Sequence, residues 1–300
     1  MNRLNSSRRR FLNQTGIVAA GAAALGPGML EAKSAPLDWS IGCFNRPWGK
    51  WSYDDALDGL KTAGFNTTGL VGRHKTKPES LLTPDAPNEY LDRLKERIAT
   101  HGLKPINAWI YGPKARDHKG AVTELKRLTD NAARLGLTTL LSGGPRRNET
   151  VKYYSGVMAE LAPYAADQGI RIAMKPHGGD GAEILRCLEL INHTNFSIWY
   201  DAGNIIYYTG ANPVTELRGI ASHVTGFCAK DCGGKGSPVM IQFGTGKVDF
   251  KRVFQTLRKA GFKGPVMIEC TGEADSPEHA TRLAIANRAY LKRIFSGLKT

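Results

Sequence analysis

Five times in this chain a helical pattern closes on a glycine that is followed at once by an apolar residue. The sites are Ala63-Gly64-Phe65, His101-Gly102-Leu103, Leu135-Gly136-Leu137, Gln168-Gly169-Ile170 and Ala260-Gly261-Phe262. Glycine takes the left-handed backbone that ends a helix, and the apolar residue after it starts the return into a sheet. Each glycine is followed by a short apolar run. A chain punctuated in this way alternates helix and strand throughout, and its strands run parallel.

Read in order from Leu37, the strand signals fall at 38–44, 66–71, 105–110, 137–141, 170–174, 196–200, 224–229 and 265–268. Helical patterns fall between them, at 53–63, 88–100, up to 135, 149–168, 182–191, 214–218 and 250–260, and a last one runs from 278 to 295. Eight strand-helix units with no linker between them predict a single (β/α)8 TIM barrel over 36–300. An open doubly wound sheet is the rival. The first strand-helix turn, Asn45-Arg46-Pro47-Trp48-Gly49, has no Gly-x-Gly-x-x-Gly, which argues against a dinucleotide fold.

Residues 1–35 read as a separate signal segment. Ser7-Arg8-Arg9-Arg10-Phe11-Leu12 precedes a mildly apolar run from Gly16 to Leu25. Paired arginines, Phe-Leu and a short run of low hydrophobicity are the layout of a twin-arginine export signal, which places the protein in the periplasm. The run falls short of the roughly 20 residues a spanning helix needs, so no stable membrane span is expected. The formal net charge is +14. Five Lys/Arg against one acid in the first 35 residues leave +10 for the remainder. Such a surface attracts polyanions in general, but no basic run interleaves with aromatics and nucleic-acid binding is not expected. The five cysteines are odd in number and not spaced as a stapled scaffold, so they read as buried thiols. Cys228 and Cys232, flanking a strand end, form the one pair placed to bridge or hold a metal.

In parallel sheets chemistry collects where strands end. The strand 170–174 stops at Lys175-Pro176-His177, and later strands end at Asp201, at Lys230-Asp231 and at Glu269. His74, past the second strand, faces them across the mouth. Asp201, Glu269 and His177 offer two hard oxygen donors and a nitrogen, a set able to hold one divalent cation such as Mn, Mg, Zn or Co. The alternative is a salt-bridge network of the carboxylates with Lys175 and Lys230 and no metal. His177 suits general-base work near neutral pH, and Lys175, if desolvated, suits a base or Schiff-base role. Asn204 and Tyr207, just past Asp201, read either as polar and stacking contacts for a sugar or as helix-cap and core residues.

The segments Gly-Ile-Arg-Ile-Ala-Met-Lys-Pro-His, Tyr-Asp-Ala-Gly-Asn, Cys-Ala-Lys-Asp and Gly-Thr-Gly-Lys-Val-Asp-Phe, then Gly-Phe-Lys-Gly-Pro-Val-Met-Ile-Glu, resemble the xylose-isomerase-like TIM-barrel superfamily. Within it they are most similar to the sugar phosphate isomerase/epimerase branch, over roughly 37–291. The resemblance implies a divalent metal held by Glu on strand five, Asp on strand six, His on strand seven and Glu on strand eight, with the two glutamates moving protons at adjacent sugar carbons. Asp201 and Glu269 match that set. Lys175 stands where the strand-five Glu is expected and Cys228 where the strand-seven His is expected, while Lys230-Asp231 matches a common Lys-Asp pair.

The resulting expectation is an isomerase- or epimerase-like enzyme on a small-molecule carbohydrate, working by proton transfer next to a carbonyl. Its catalytic residues are Glu269, His177, Lys175 and Lys230. His74, Asn204 and Asp231 contact substrate, and Asp201, Glu269 and His177 hold any metal. Alternatives are a periplasmic carbohydrate-binding protein that has lost catalysis, or a lyase or hydratase on an oxidised sugar. A further alternative is an endonuclease-like member of the superfamily.

Overall fold

The structure, a computed structural model, describes residues 37, 39–71, 74, 81–146, 149–178 and 180–298. The proposed export segment lies outside the described residues. So do Asp38 at the start of the first predicted strand and the neighbours of His74 on both sides.

Eight parallel strands close into a barrel in sequence order: β1 (Ile41–Phe44), β2 (Thr67–Leu70), β3 (Lys104–Trp109), β4 (Thr139–Ser142), β5 (Arg171–Met174), β6 (Phe196–Tyr200), β7 (Val224–Ala229) and β8 (Val266–Ile268). β8 pairs with β1 through Ile41 opposite Val266 and Cys43 opposite Ile268, which completes the ring. The expected TIM barrel is therefore the observed one. The helices are α1 (Tyr53–Thr62), α2 (Asn88–Thr100), α3 (His118–Leu135), α4 (Val151–Asp167), α5 (Gly181–Ile191), α6 (Ala202–Thr209), α7 (Pro213–Leu217), α8 (Phe250–Lys259) and α9 (Pro277–Ser296). None of them is long and apolar enough to cross a membrane.

The five helix-closing glycines all sit at φ between 70° and 78°. After each, the apolar residue's N–H reaches back to the carbonyl five residues earlier: Phe65 to Leu60, Leu103 to Ile98, Leu137 to Ala132, Ile170 to Ala165 and Phe262 to Leu257. The sequence punctuation is thus one repeated hydrogen-bonded stop.

One helix escapes the sequence reading. α6 begins directly after Asp201, where Ala-Gly-Asn-Ile-Ile-Tyr-Tyr-Thr is poor in helix formers. Asp201 supplies the missing nucleation by capping it, its side chain accepting from the Asn204 N–H at 2.9 Å.

Two apolar layers hold the barrel. The larger packs strands against helices. The smaller fills the barrel interior with Phe44, Val71, Leu141, Ala173, Trp199, Cys228 and Met267. Side chains alternate along a strand, so the residue two places beyond an inward-facing one also faces inward. Two beyond Phe44, Ala173, Trp199, Cys228 and Met267 stand Arg46, Lys175, Asp201, Lys230 and Glu269. The apolar plug therefore carries a charged layer on its upper face.

Candidate active site

The charged layer is built from five strand ends. Lys175 extends the β4–β5 ladder, its N–H donating to the Ser142 carbonyl at 2.7 Å, so its side chain is aimed inward by the sheet itself. Its Nζ lies 2.5 Å from Glu269 Oε2 and 3.3 Å from Asp201 Oδ2. Lys230 Nζ reaches the same two oxygens at 3.0 and 3.2 Å. Both lysines pair with Asp201 Oδ2 by charge, without a well-directed hydrogen bond. Gly203 makes room for Lys230: a Cβ there would lie 2.4 Å from Lys230 Cγ. Arg46 Nη1 donates to the other Glu269 oxygen at 2.5 Å, and Cys228 Sγ donates to Oε2 at 2.8 Å.

Lys175, Lys230, Asp201 and Glu269 are each at most 2% exposed, so these charges interact with little screening by water. Burial pushes the Glu269 carboxyl up, but Lys175, Lys230 and Arg46 outweigh it and hold the group ionised, well below the usual carboxylate range. Burial pushes Lys230 down, and Asp201 and Glu269 more than reverse it. Lys175 is likewise pushed down by burial and raised above the usual lysine value by Cys228, Glu269 and Asp201. Cys228 is itself kept protonated by burial beside Glu269, so at neutral pH the two carboxylates are what keep Lys175 charged.

His177 sits above this layer. Its Nδ1 is 2.9 Å from the Lys175 carbonyl, which can only accept, so Nδ1 carries the proton and Nε2 presents a lone pair. The ring packs against Trp109 at 4.7 Å and Tyr208 at 5.5 Å between centroids. Burial, and then the Lys175 charge, lower its pKa to about 4, so the imidazole is neutral at pH 7.

A cavity of about 570 Å³ opens onto the layer, lined among others by Arg46, Lys175, Glu269, His177, Trp109 and Trp51. A second, of about 340 Å³, shares Trp109, Tyr111 and His177 with it and continues towards Tyr153 and Arg146. A third, of about 390 Å³, shares Arg46 and His177 and is lined by Lys230, Asn204, Tyr207 and Tyr208. His177 borders all three.

The structure thus brings Lys175, Lys230, Asp201, Glu269 and His177 to one mouth, with Asn204 and Tyr207 at its side. Asn204 also ties the β5 tip in place, its Nδ2 donating to the Pro176 carbonyl at 2.8 Å. Three placements differ from expectation. Asp231 lines none of these three cavities. Its carboxylate accepts the N–H groups of Cys232, Gly244, Gly246 and Val248, because Lys230 takes the inward position and alternation turns its neighbour outward. Its work is to hold the loop after β7, and a Cβ on Gly246 would come within 2.3 Å of its Oδ1. His74 is fully buried, its ring nitrogens bonded to Asn45 Nδ2 at 2.8 Å and the Trp51 carbonyl at 3.0 Å, which places it behind the cavity wall. His177 stands apart from the carboxylates. The potential ligand atoms that converge within 4.8 Å belong to Asp201, Cys228 and Glu269.

Arg46 and Trp109 were not singled out from the sequence. Arg46 is the first charged residue past β1, and the strand-end rule that picked Lys175 would have found it. Among the described residues all five cysteines are free and buried, as read, and Cys232 forms no bridge to Cys228.

Asp201, Cys228 and Glu269 offer three donors to a metal, yet the surrounding residues do not fit a divalent cation. Two ammonium groups already share the oxygens such an ion would take. With Arg46 they give three positive charges against two carboxylates, so a further double charge would enter a buried site that is already positive.

Comparison with known proteins agrees with this architecture. The model of the xylose isomerase-like TIM barrel family matches residues 57–294. L-ribulose-5-phosphate 3-epimerase UlaE of Shigella boydii serotype 18 is 28% identical over 135 residues, 43% of this chain and 47% of the relative. The chain therefore spans less than half the length of the curated relatives it matches. Among solved structures, D-allulose 3-epimerase from Methylomonas sp. is 22% identical with a TM-score of 0.66, covering 86% of this chain and 99% of that one. A xylose isomerase-like TIM barrel protein from Mycobacterium smegmatis, solved in complex with magnesium, is 14% identical with a TM-score of 0.69, covering 88% and 98%. At these identities the structures speak for the fold. With the family model spanning most of the barrel, the chain belongs to the xylose isomerase-like TIM barrel family.

Proposed function

We propose that the protein is a sugar isomerase or epimerase that moves a proton at a carbon next to a carbonyl, with protein cations in the role a metal has elsewhere in the superfamily. The observation that carries this reading is the His177 imidazole, its Nδ1 tied to the Lys175 carbonyl, bordering both a cavity lined by Lys175 and a neighbouring one lined by Lys230. In the proposed reaction the substrate carbonyl oxygen lies against the two ammonium groups. His177 Nε2 accepts the proton of the neighbouring carbon, and the negative charge that develops on oxygen is met by cations already in place. Return of that proton from His177 to the adjacent carbon on the same face completes an isomerisation, whereas epimerisation takes its proton on the opposite face from a second donor such as solvent water, the proton on His177 then passing to solvent. Glu269 is engaged by Lys175, Lys230, Arg46 and Cys228, a poor arrangement for a base and a good one for a counter-ion. We assign it, with Asp201, to keeping the lysines charged and positioned. Trp109 and Tyr208 supply apolar ring faces of the kind that pack on sugars.

Incubating the protein with candidate ketoses and aldoses in D2O and following loss of the C–H signal next to the carbonyl tests this directly. Exchange that vanishes in His177→Gln is the expected result. Exchange equally fast without His177 would sink the assignment. The replacement of two expected ligands, at Lys175 and Cys228, supports a second reading, a carbohydrate-binding protein without turnover. Saturable sugar binding with no exchange in D2O would favour it. We further propose export by the twin-arginine route, on the strength of the Arg8-Arg9-Arg10-Phe11-Leu12 motif.

A further inference from the structure

The charged layer does not balance. Lys175, Lys230 and Arg46 carry three positive charges, Asp201 and Glu269 two negative ones. Among the described residues, the other charges near the layer are already paired. Lys50 and Glu273, at the rim of the same cavity, neutralise each other at 2.8 Å, and the Asp231 carboxylate is taken up by the β7 loop. A buried surplus charge is costly unless a partner arrives to meet it. It is also placed to receive one: Lys175, Arg46 and Glu269 line the 570 Å³ cavity, and the Arg46 side chain is 36% exposed there.

We propose that this surplus is a binding site for a substrate carboxylate, so that the protein takes sugar acids of the aldonate or uronate class rather than neutral sugars. Size and charge favour a carboxylate over a phosphate ester. One negative charge brings the cluster to neutrality, whereas a phosphate monoester carries about −1.5 to −2 and would invert it. Arg46 uses Nη1 on Glu269, and the rest of its planar fork matches two carboxylate oxygens. The anion would sit against Arg46 and Lys175 on the floor of that cavity. This assignment rests on the cavity being a sugar site, as proposed above.

Calorimetric titration of the full chain, dialysed against EDTA, separates the possibilities. The probes are D-galacturonate and D-gluconate, their neutral parents D-galactose and D-glucose, galactose 6-phosphate, and inorganic phosphate. At least one acid is expected to bind about tenfold or more tighter than its neutral parent and than either phosphate, and to lose that margin in Arg46→Gln. Circular dichroism and the thermal midpoint confirm that the variant is folded. Equal binding of acid and parent, or tighter binding of the phosphate ester, would overturn the carboxylate assignment while leaving the sugar site standing. No binding by any sugar, charged or neutral, would overturn the sugar-site reading and this inference with it. Manganese chloride titrated into the unmodified protein is expected to give no saturable heat. Stoichiometric binding there would overturn the surplus-charge premise. In Lys175→Glu, where the surplus becomes a deficit, manganese binding is expected to appear.

Discussion

Lys175 Nζ lies 2.5 Å from Glu269 Oε2, joining β5 to β8 across 94 positions of the chain and across the barrel mouth. The same oxygen receives Lys230 at 3.0 Å and the Cys228 thiol at 2.8 Å. One carboxylate oxygen thus ties the ends of β5 and β7 to β8, and the second oxygen, bonded to Arg46, adds the end of β1.

The two partners of that contact are not equivalent. Glu269→Gln removes one of two negative charges and leaves three cations facing Asp201. Breaking a buried pair in this way costs about 3–5 kcal/mol. Lys175→Met removes a surplus charge and leaves two cations against two carboxylates, so its cost is expected to be no more than about half as large. Urea unfolding of both variants measures the difference, and equal losses would contradict the charge count.

His177 makes stability depend on mild acid. Its pKa falls from 6.5 to about 4 on folding, so the unfolded chain binds the proton more readily. The contribution is fully present above pH 6.5 and is lost as pH falls from there towards about 4, up to about 3 kcal/mol in all. In His177→Phe the slope of unfolding free energy over this window is expected to flatten. An unchanged slope would place the acid sensitivity elsewhere.

The ion network itself limits stability at more extreme pH. Glu269 is depressed on folding, so its contribution stands above the unfolded carboxyl value and is lost as pH falls through the lower folded one. Lys230 is raised, so its contribution stands below the unfolded lysine value of 10.5 and is lost as pH rises through the higher folded one. Lys230→Met should therefore remove part of the alkaline unfolding limb and leave the window between pH 6.5 and 9 level. A thermal-midpoint series across pH checks this.

Asp231 is a loop anchor. In Asp231→Asn one carboxylate oxygen becomes a donor facing backbone N–H groups, and a loss of about 2 kcal/mol is expected, with faster proteolysis between Cys232 and Val248. Sugar affinity, read by calorimetry on the folded variant, should change less than in Arg46→Gln.

For the export proposal, replacing Arg8, Arg9 and Arg10 together by Gln is expected to hold the protein in the cytoplasm when the bacterial host is fractionated. Periplasmic recovery equal to that of the unmodified chain would dismiss the motif.

Much of the site was legible because strand ends are legible. Lys175, Asp201, Lys230 and Glu269 each follow an apolar run with no intervening linker, and the period-two rule turns them inward once the run is buried. The same rule, applied to β1, would have added Arg46. Asp231, expected to contact substrate beside Lys230, instead holds the loop after β7, because alternation sends neighbouring side chains to opposite faces. α6 was missed because its residues are weak helix formers, and its start depends on a cap from a residue read as functional.

Local residue order was enough to determine the barrel: five glycine stops, eight apolar runs and their spacing admit few other closed arrangements. The choice between a metal and a salt-bridge network was beyond it. Both use the same carboxylates, and only distance and burial tell whether a lysine ammonium points into the space between them or away from it. Closure of β8 onto β1 brings Arg46 and Glu269 together, and barrel curvature sets both lysines on the same two oxygens, where the energy of each charge depends on all the others.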